Sequence, residues 1–530
     1  MTELLPTRAT FAVGARVQLE VRGDRGPGEL TVWHLGDLVS RSAYDGAELV
    51  ELGELAAGGY GVELDQGGEV TRTAVEVGGG GMRYGFVVDY APDRDVTGVA
   101  ELARRLHLTD IQFYDWAYRH ASLLGGGEEY RDALDQPVAL STVRRLVTAL
   151  RAAGARSLGY AAVYAAGPAE WSGWEHRALL TATGAPYALG DFLFIVDPAA
   201  EDWLAHFGDD LAAAVEQVGF DGFHLDQYGY PKRAVRPDGV VVDVAESFAA
   251  LLAALRGRLP DARLVFNNVN DFPTWRTARS PQDAVYIEPW APTLTLGGLA
   301  AVVTRARSVG DGKPVVMAAY QHVYDSASVR ESDLATAFTM AALFSHGATQ
   351  LLAGEADRIL VDPYYVRNHV AEPSTADLLR RWYDFLVEHD ELLLDPSIVD
   401  VTASIAGAYN DDCDVTYAET PVTEGAEPGA VWRRITESRG RTVVHLINLV
   451  GQDDTLWDAP RREPGATGAG TLRVRRVGTA VPRVRVADPD GAARLVDVEV
   501  AVDGDYATAQ LPPVGVWQLV LVEALGRDLA

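Results

Sequence analysis

Two rhythms of apolar and polar residues divide this chain. In "RVQLEV" (16–21), "ELTVWHL" (29–35), "GYGVEL" (59–64) and "TRTAVEV" (71–77) apolar and polar positions alternate. A period of two sends one face of a strand into a core and the other into water. Turns rich in Gly, Asp and Arg separate these runs, so residues 1–80 predict a small β-sandwich. The "GGGG" at 78–81 predicts a flexible joint. It has neither the spacing nor the following Lys-Ser/Thr of a phosphate loop.

From "MRYGFVVDYAP" onward, short apolar runs alternate with amphipathic helices. Val99, Leu102 and Leu106 share one helical face; Val143, Leu146, Val147 and Leu150 share another, with Ser141 or Thr142 to cap its start and Gly154 at its end. A third helix presents Leu204, Phe207, Leu211, Val215 and Val218 and closes at Gly219; a fourth presents Phe248, Leu251, Leu252 and Leu255. The strands between are "YGFVVDY", "DIQFYDW", "SLGYAAVY", "FDGFHLD", "RLVFNN", "AVYIEPW", "PVVMAAY" and "ATQLLAGE". Eight β-units in a stretch of this length predict an α/β fold with a central (β/α)8 TIM barrel over 82–397, and no dinucleotide fingerprint favours a doubly wound sheet. After "DFLVEHDELLL" the helices stop. The runs "AVWRRITES", "RTVVHLINLV", "TLRVRRVG", "RLVDVEVAVDG" and "GVWQLVLVEA" predict a C-terminal antiparallel β-sandwich over 398–530.

Charge narrows the partners. The 530 residues carry 75 acids against 46 bases, a formal −29, and only Lys232 and Lys313 are lysines. Such a surface repels nucleic acid and anionic lipid, so neither is expected as a partner. The single cysteine, Cys413, excludes an intramolecular disulfide and a cysteine metal cluster. "MTELLPTRATFAVGARV" has no basic segment leading into an apolar core, and no run of 18 apolar residues occurs. A cytoplasmic location is the expectation, or secretion if a leader precedes Met1. No His-Glu-x-x-His, nucleophile elbow or calcium-loop spacing appears, so no metal or cofactor is expected.

Side-chain alternation then points to chemistry. In "GFHLD", Gly222, His224 and Asp226 share one side while Phe223 and Leu225 suit a helix layer. Asp226 therefore points inward at the C-terminal rim, where barrel enzymes keep their reactive groups. Glu288 ends the sixth strand in the same register, with Tyr286 on its side. Two acids on alternate strands of one rim approach within about 5–6 Å, the separation of a retaining glycosidase. Asp226, beside Gln227, is the expected nucleophile, and Glu288, between Ile287 and Trp290, the expected proton donor. Asp115, Trp116, His120, Tyr164, Gln227, Asn268, Trp290, Tyr320 and Glu355 form the expected sugar-binding set, within a wider group that includes Asp89, Tyr118, Asn267 and Gln321.

"IQFYDWAYRH" (111–120), "GYAAVYAA" (159–166), "DFLFIVDP" (191–198), "GFDGFHLDQYGYPK" (219–232), "FNNVNDF" (266–272) and "YIEPW" (286–290) together resemble glycoside hydrolase family 66, the dextranases and cycloisomaltooligosaccharide glucanotransferases. The resemblance implies an immunoglobulin-like N-terminal module and retaining action on α-1,6-linked glucan. It implies Asp226 as nucleophile and Glu288 as acid/base. The cyclising transferases of the family carry a carbohydrate-binding module within the barrel. Here the short chain between Glu288 and the last strand leaves no room for one, so hydrolysis of α-glucan or isomaltooligosaccharides is expected over transglucosylation. A non-catalytic glycan-binding protein is the alternative from another class, and the oligomeric state is open.

Overall fold

The computed structural model describes residues 2–407 and 409–523. Met1, Ala408 and residues 524–530, which include the end of the last predicted strand, lie outside the described residues.

All eight predicted units of the middle segment form one curled sheet. Its parallel strands are β1 (Tyr84–Val87), β2 (Asp110–Phe113), β3 (Arg156–Ala162), β4 (Gly222–Asp226), β5 (Arg263–Val269), β6 (Ala284–Glu288), β7 (Val315–Met317) and β8 (Ala348–Gln350). Each pairs with its sequence neighbour in parallel register. The chain of β8 runs on to Ala353–Gly354, where Gly354 pairs with Phe86 of β1. Phe86 lies so close that a side chain at 354 would collide with its ring and carbonyl. A hairpin, Arg358–Leu360 with Asn368–Val370, extends the sheet from there.

The crossovers are α1 (Thr97–Arg105), α2 (Leu140–Ala152), α3 (Glu201–Val218), α4 (Val244–Arg258), a single turn at Thr274–Thr277, α5 (Leu296–Val309) and α6 (Val329–Ser345); α7 (Pro373–Glu388) follows the hairpin. Gly154 and Gly219 sit at helix ends with φ of 83° and 91°, a conformation that penalises any Cβ. Two helix details differ from the sequence reading. α2 begins at Leu140 with Ala139 at the cap, so neither Ser141 nor Thr142 caps it; the Thr142 hydroxyl instead donates to the Ala91 carbonyl at 3.0 Å. In α3 the buried stripe is Trp203, Phe207, Leu211, Ala214 and Val218, which leaves Leu204 and Val215 half-buried, because the Trp203 indole anchors the helix by donating to the Val163 carbonyl at 2.8 Å.

Residues 3–77 form two antiparallel sheets around Val17, Leu19, Val32, Val62, Leu64 and Val75. The strand Asp37–Tyr44 escaped the alternation rule because seven of its eight residues are exposed and no face faces the core. Within the glycine run Gly78, Gly79 and Gly80 are exposed and Gly80 has open space around it, while Gly79 and Gly81 each approach a neighbouring side chain. Glu76 folds back over Gly79, where any side chain would collide with its carboxylate, and pairs with Arg83, buried at the foot of β1. From Val399 onward, a seven-stranded and a four-stranded sheet enclose Val431, Ile435, Val444, Leu446, Leu472, Val520 and Val522. Arg483–Ala487 and Tyr506–Leu511 are strands that the sequence pattern did not reveal.

Candidate active site

Alternation inside the curled sheet decides what meets at its C-terminal end. His224 lies within the sheet, 3.0 Å from the Tyr84 hydroxyl, stacked on Tyr160 and edge-on to Tyr286. Phe223, Leu225 and Ile287 face the helices, fully buried. Asp226 and Glu288, one step further along β4 and β6, therefore point into a cavity of about 210 Å³ at the strand ends. Its wall includes Tyr114, Tyr160, Asn267, Trp290, Tyr320 and Tyr365.

Asn267 of β5 stands between the two acids. Its Nδ2 donates one hydrogen to Asp226 Oδ1 at 2.7 Å and the other to Glu288 Oε2 at 2.9 Å. Two oxygens bound to one nitrogen lie within about 6 Å of each other. The second oxygen of Asp226 accepts from the Tyr160 hydroxyl at 2.8 Å. Burial pushes Asp226 up to about 6, against which the bonds from Asn267 and Tyr160 pull it down. Burial and then the neighbouring charge of Asp226 push Glu288 up to about 7. Of the two, Glu288 is the one that keeps a proton near neutral pH.

The structure sorts the predicted sugar-binding residues into three groups. Trp290 and Tyr320 line the cavity, their rings 5.9 Å apart and tilted by 51°. Gln227 also lines it, but its amide is spent within the protein: Nε2 donates to the carbonyls of Asn267 and Phe272, both at 3.1 Å, and Oε1 accepts from Gly229.

Asp115 and His120 lie beside this cavity on the segment after β2. Both are buried, and among the described residues neither has a hydrogen-bond partner for its side chain. Burial, with the charges of Asp132 and Asp226, holds Asp115 well above the usual carboxylate range. Burial holds His120 down at about 4, hence neutral, with its ring 6.3 Å from that of Tyr160.

Trp116, Tyr164, Asn268 and Glu355 are not brought to the cavity. Trp116 belongs to the helix layer, edge-on to Phe220, its indole donating to the Tyr160 carbonyl at 3.1 Å. The Tyr164 hydroxyl ties down the turn after β4, donating to the Tyr230 carbonyl at 2.7 Å and accepting from the Tyr228 amide at 2.8 Å. Asn268 has the opposite parity to Asn267 and points outward, donating to the carbonyls of Phe266 and Tyr286 and accepting from Thr277. Glu355 fastens the end of β1: it accepts from the Val88 and Asp89 amides and pairs with Arg94. Lys232 lies 5.3 Å above the Phe272 ring, outside the cavity lining. Asn268→Ala is expected to cost about 2 kcal/mol of folding stability, because buried carbonyls and the Thr277 hydroxyl lose their partner. Turnover per folded molecule should stay unchanged; chemical denaturation and kinetics read the two separately.

Tyr160 and Tyr365 escaped the sequence reading. Tyr160 has the inward parity of β3 and was within reach of the same argument that found Asp226. Tyr365 comes from the hairpin after β8, stacks 4.3 Å from Tyr114 at 15°, and bonds with Gln112 and Tyr286, each at 3.2 Å. No pattern in "GEADRILVDPYY" announces that return.

The model of glycosyl hydrolase family 66 matches residues 8–521. The chain belongs to this family. A cycloisomaltooligosaccharide glucanotransferase of Niallia circulans is 24% identical over 276 residues, 47% of this chain and 28% of that protein. A dextranase of Streptococcus salivarius is 21% identical over 375 residues, 61% of this chain and 44% of that one. The matched region thus spans less than half the length of either relative. Among solved structures, a cycloisomaltooligosaccharide glucanotransferase of Paenibacillus sp., complexed with cycloisomaltoheptaose, superposes with a TM-score of 0.87 at 18% identity, covering 98% of this chain and 99% of that chain. The family 66 chain also shares its fold, more loosely, with an α-amylase of Geobacillus thermoleovorans at a TM-score of 0.53, 12% identity, and coverage of 84% and 99%.

Proposed function

We propose that this family 66 chain is a retaining glycosidase acting on α-1,6-linked glucan or isomaltooligosaccharides, with Asp226 as nucleophile and Glu288 as general acid/base. The observation that carries the reading is the Asn267 amide shared by the two carboxylates, which keeps one oxygen of each within about 6 Å of the other and so supports the short separation of a double-displacement enzyme. The relatives named above as dextranase and glucanotransferase supply the substrate class.

In the first step an Asp226 oxygen forms a bond to the anomeric carbon as the glycosidic C–O bond breaks, and Glu288 gives its proton to the leaving oxygen. Asn267 donates to Oε2 of Glu288 and so fixes the orientation of that carboxyl. In the second step the Glu288 carboxylate takes a proton from water, whose oxygen displaces Asp226 from the anomeric carbon. A sugar hydroxyl in place of water makes the same enzyme a transglucosylase. Trp290 offers a ring face for stacking, while Asp115 and His120 offer polar groups with no internal partner for the sugar's hydroxyls.

In this reading the curled sheet is a closed (β/α)8 barrel over 82–397. An immunoglobulin-like sandwich precedes it up to residue 80, and a β-sandwich follows from 398. Pairing of Gly354 with Phe86 supports closure.

The test is a substrate panel of dextran, isomaltotetraose and maltotetraose with NMR of the first-formed anomer. Cleavage of the α-1,6 substrates with an α product is expected. Cleavage of maltotetraose alone, or a β product, contradicts the proposal. Asn267→Ala removes a donor from both carboxylates, so both pKa values should rise. The acid limb of the rate profile should move to higher pH and kcat should fall by about 10²-fold. An unshifted limb would show that the amide does not set the pair's protonation.

A further inference from the structure

A second polar cavity, of about 260 Å³, lies at the opposite end of the curled sheet, where β7 and β8 begin and the C-terminal sandwich abuts them. Its walls carry Arg307 from the end of α5, Lys313 from the turn before β7, His346 from the end of α6, and Arg434 and Asp400 from the C-terminal sheet.

The charges there do not balance. Arg307 donates only to carbonyls, of Gly347 at 3.2 Å and Asp395 at 3.0 Å. Lys313 does the same with Ala278 at 2.9 Å. Neither has a carboxylate partner among the described residues. Asp400 is the one acid of the lining, and it is engaged by Arg434 at 2.9 Å and by Thr402. The nearby Asp395 carboxylate is taken by Arg439 at 2.6 Å. Burial and then the neighbouring Arg434 charge weaken Arg307's hold on its proton, while the charge of Asp395 acts in the other direction. His346 is buried, and its Nδ1 faces the Ala342 carbonyl at 2.7 Å, leaving no partner for Nε2 among the described residues. On a protein of formal charge −29, three cations stand here against one acid.

We propose that this cavity binds a phosphate-sized oxyanion, held by Arg307, Lys313 and Arg434, that fastens the barrel end to the C-terminal sandwich. Guanidinium groups suit such an anion because their N–H donors match two of its oxygens at once. The inference concerns the far end of the strands and does not depend on the reaction proposed for Asp226 and Glu288.

Thermal unfolding of the full chain, titrated with sodium phosphate and with sodium chloride at equal ionic strength, tests it. The expected result is a saturable rise of about 3 °C in phosphate only. That rise should vanish in Arg307→Gln and in Thr304→Glu. Thr304 is exposed at the cavity edge and its hydroxyl bonds only its own helix, so the glutamate variant folds even if the arginine variant does not. Sulfate should reproduce the rise in the wild type, since the site reads oxyanion geometry. A rise that never saturates, or one that Thr304→Glu retains, is the general salting effect of these anions and overturns the proposal.

Discussion

Asp226→Asn is expected to lower kcat on an α-1,6 glucan by at least about 10⁴-fold, and Glu288→Gln by about 10²–10⁴-fold, with the fold intact. Both side chains sit at a cavity surface and neither carries core packing; the strands that hold them are fixed by Phe223, Leu225 and Ile287 on the other face. The variants should even gain stability at alkaline pH. A carboxyl whose pKa is raised by folding binds its proton more tightly in the native state. Its contribution is present below the unfolded pKa, near 4, and is lost as pH rises through about 6 for Asp226 and about 7 for Glu288. An amide at either place does not titrate, so the variant should pull ahead of the wild type across that window, by up to about 3 kcal/mol at pH 8. Denaturant titrations at pH 4 and pH 8 measure the gap. Azide separates the roles. With Asp226→Ala it should attack the anomeric carbon in place of the carboxylate and give the inverted β-glycosyl azide. With Glu288→Ala it should intercept the glycosyl-enzyme and give the retained α-glycosyl azide. Near-native turnover in either amide variant contradicts the assignment.

The second large effect is on pH. The proposed double displacement requires Asp226 ionised and Glu288 protonated in the same molecule. Below about pH 6 Asp226 takes up a proton and the nucleophile is lost; above about pH 7 Glu288 gives up its proton and the acid is lost. kcat/KM should therefore trace a narrow bell centred between pH 6 and 7, falling about tenfold per pH unit on each side. The two limbs report the pair rather than either residue alone, since one charge raises the cost of the other. Glu288→Gln should abolish the alkaline limb, measured on its residual rate with an α-1,6 glucan, since no titrating acid remains. A flat profile from pH 5 to 9 would mean that neither carboxyl titrates in the reaction.

How much of this was legible in the sequence depends on parity. Inside the sheet a residue's side follows from counting, so His224, Asp226, Tyr286 and Glu288 were placed correctly from "GFHLD" and "YIE" alone. The same count separates Asn267 from Asn268, yet the favoured hydroxyl binder was Asn268, which faces Thr277 in the helix layer. Tyr160 was equally within reach. Past the strand ends counting stops, because side chains there follow tertiary packing rather than alternation. Trp116 turned into the core, Tyr164 and Glu355 became fasteners of backbone, and Gln227 reached the cavity wall with its amide already engaged. Tyr365 arrives from a hairpin whose fold is set by tertiary contacts with Tyr114 and Gln112, which no local pattern records. The outlying strands follow the same logic. Runs with one buried face, such as Arg16–Arg22, were visible, and the exposed Asp37–Tyr44 was not.

The most direct measurement traps the covalent intermediate. The Glu288→Gln variant, given an α-isomaltosyl fluoride, should react at its nucleophile, because fluoride leaves without a proton, and then stall, because no base activates water. Peptide mass spectrometry should find one isomaltosyl group, on the peptide that contains Asp226. An adduct on any other residue, or release of an inverted product with no adduct formed, would contradict the convergence of Asp226 and Glu288 on one anomeric carbon.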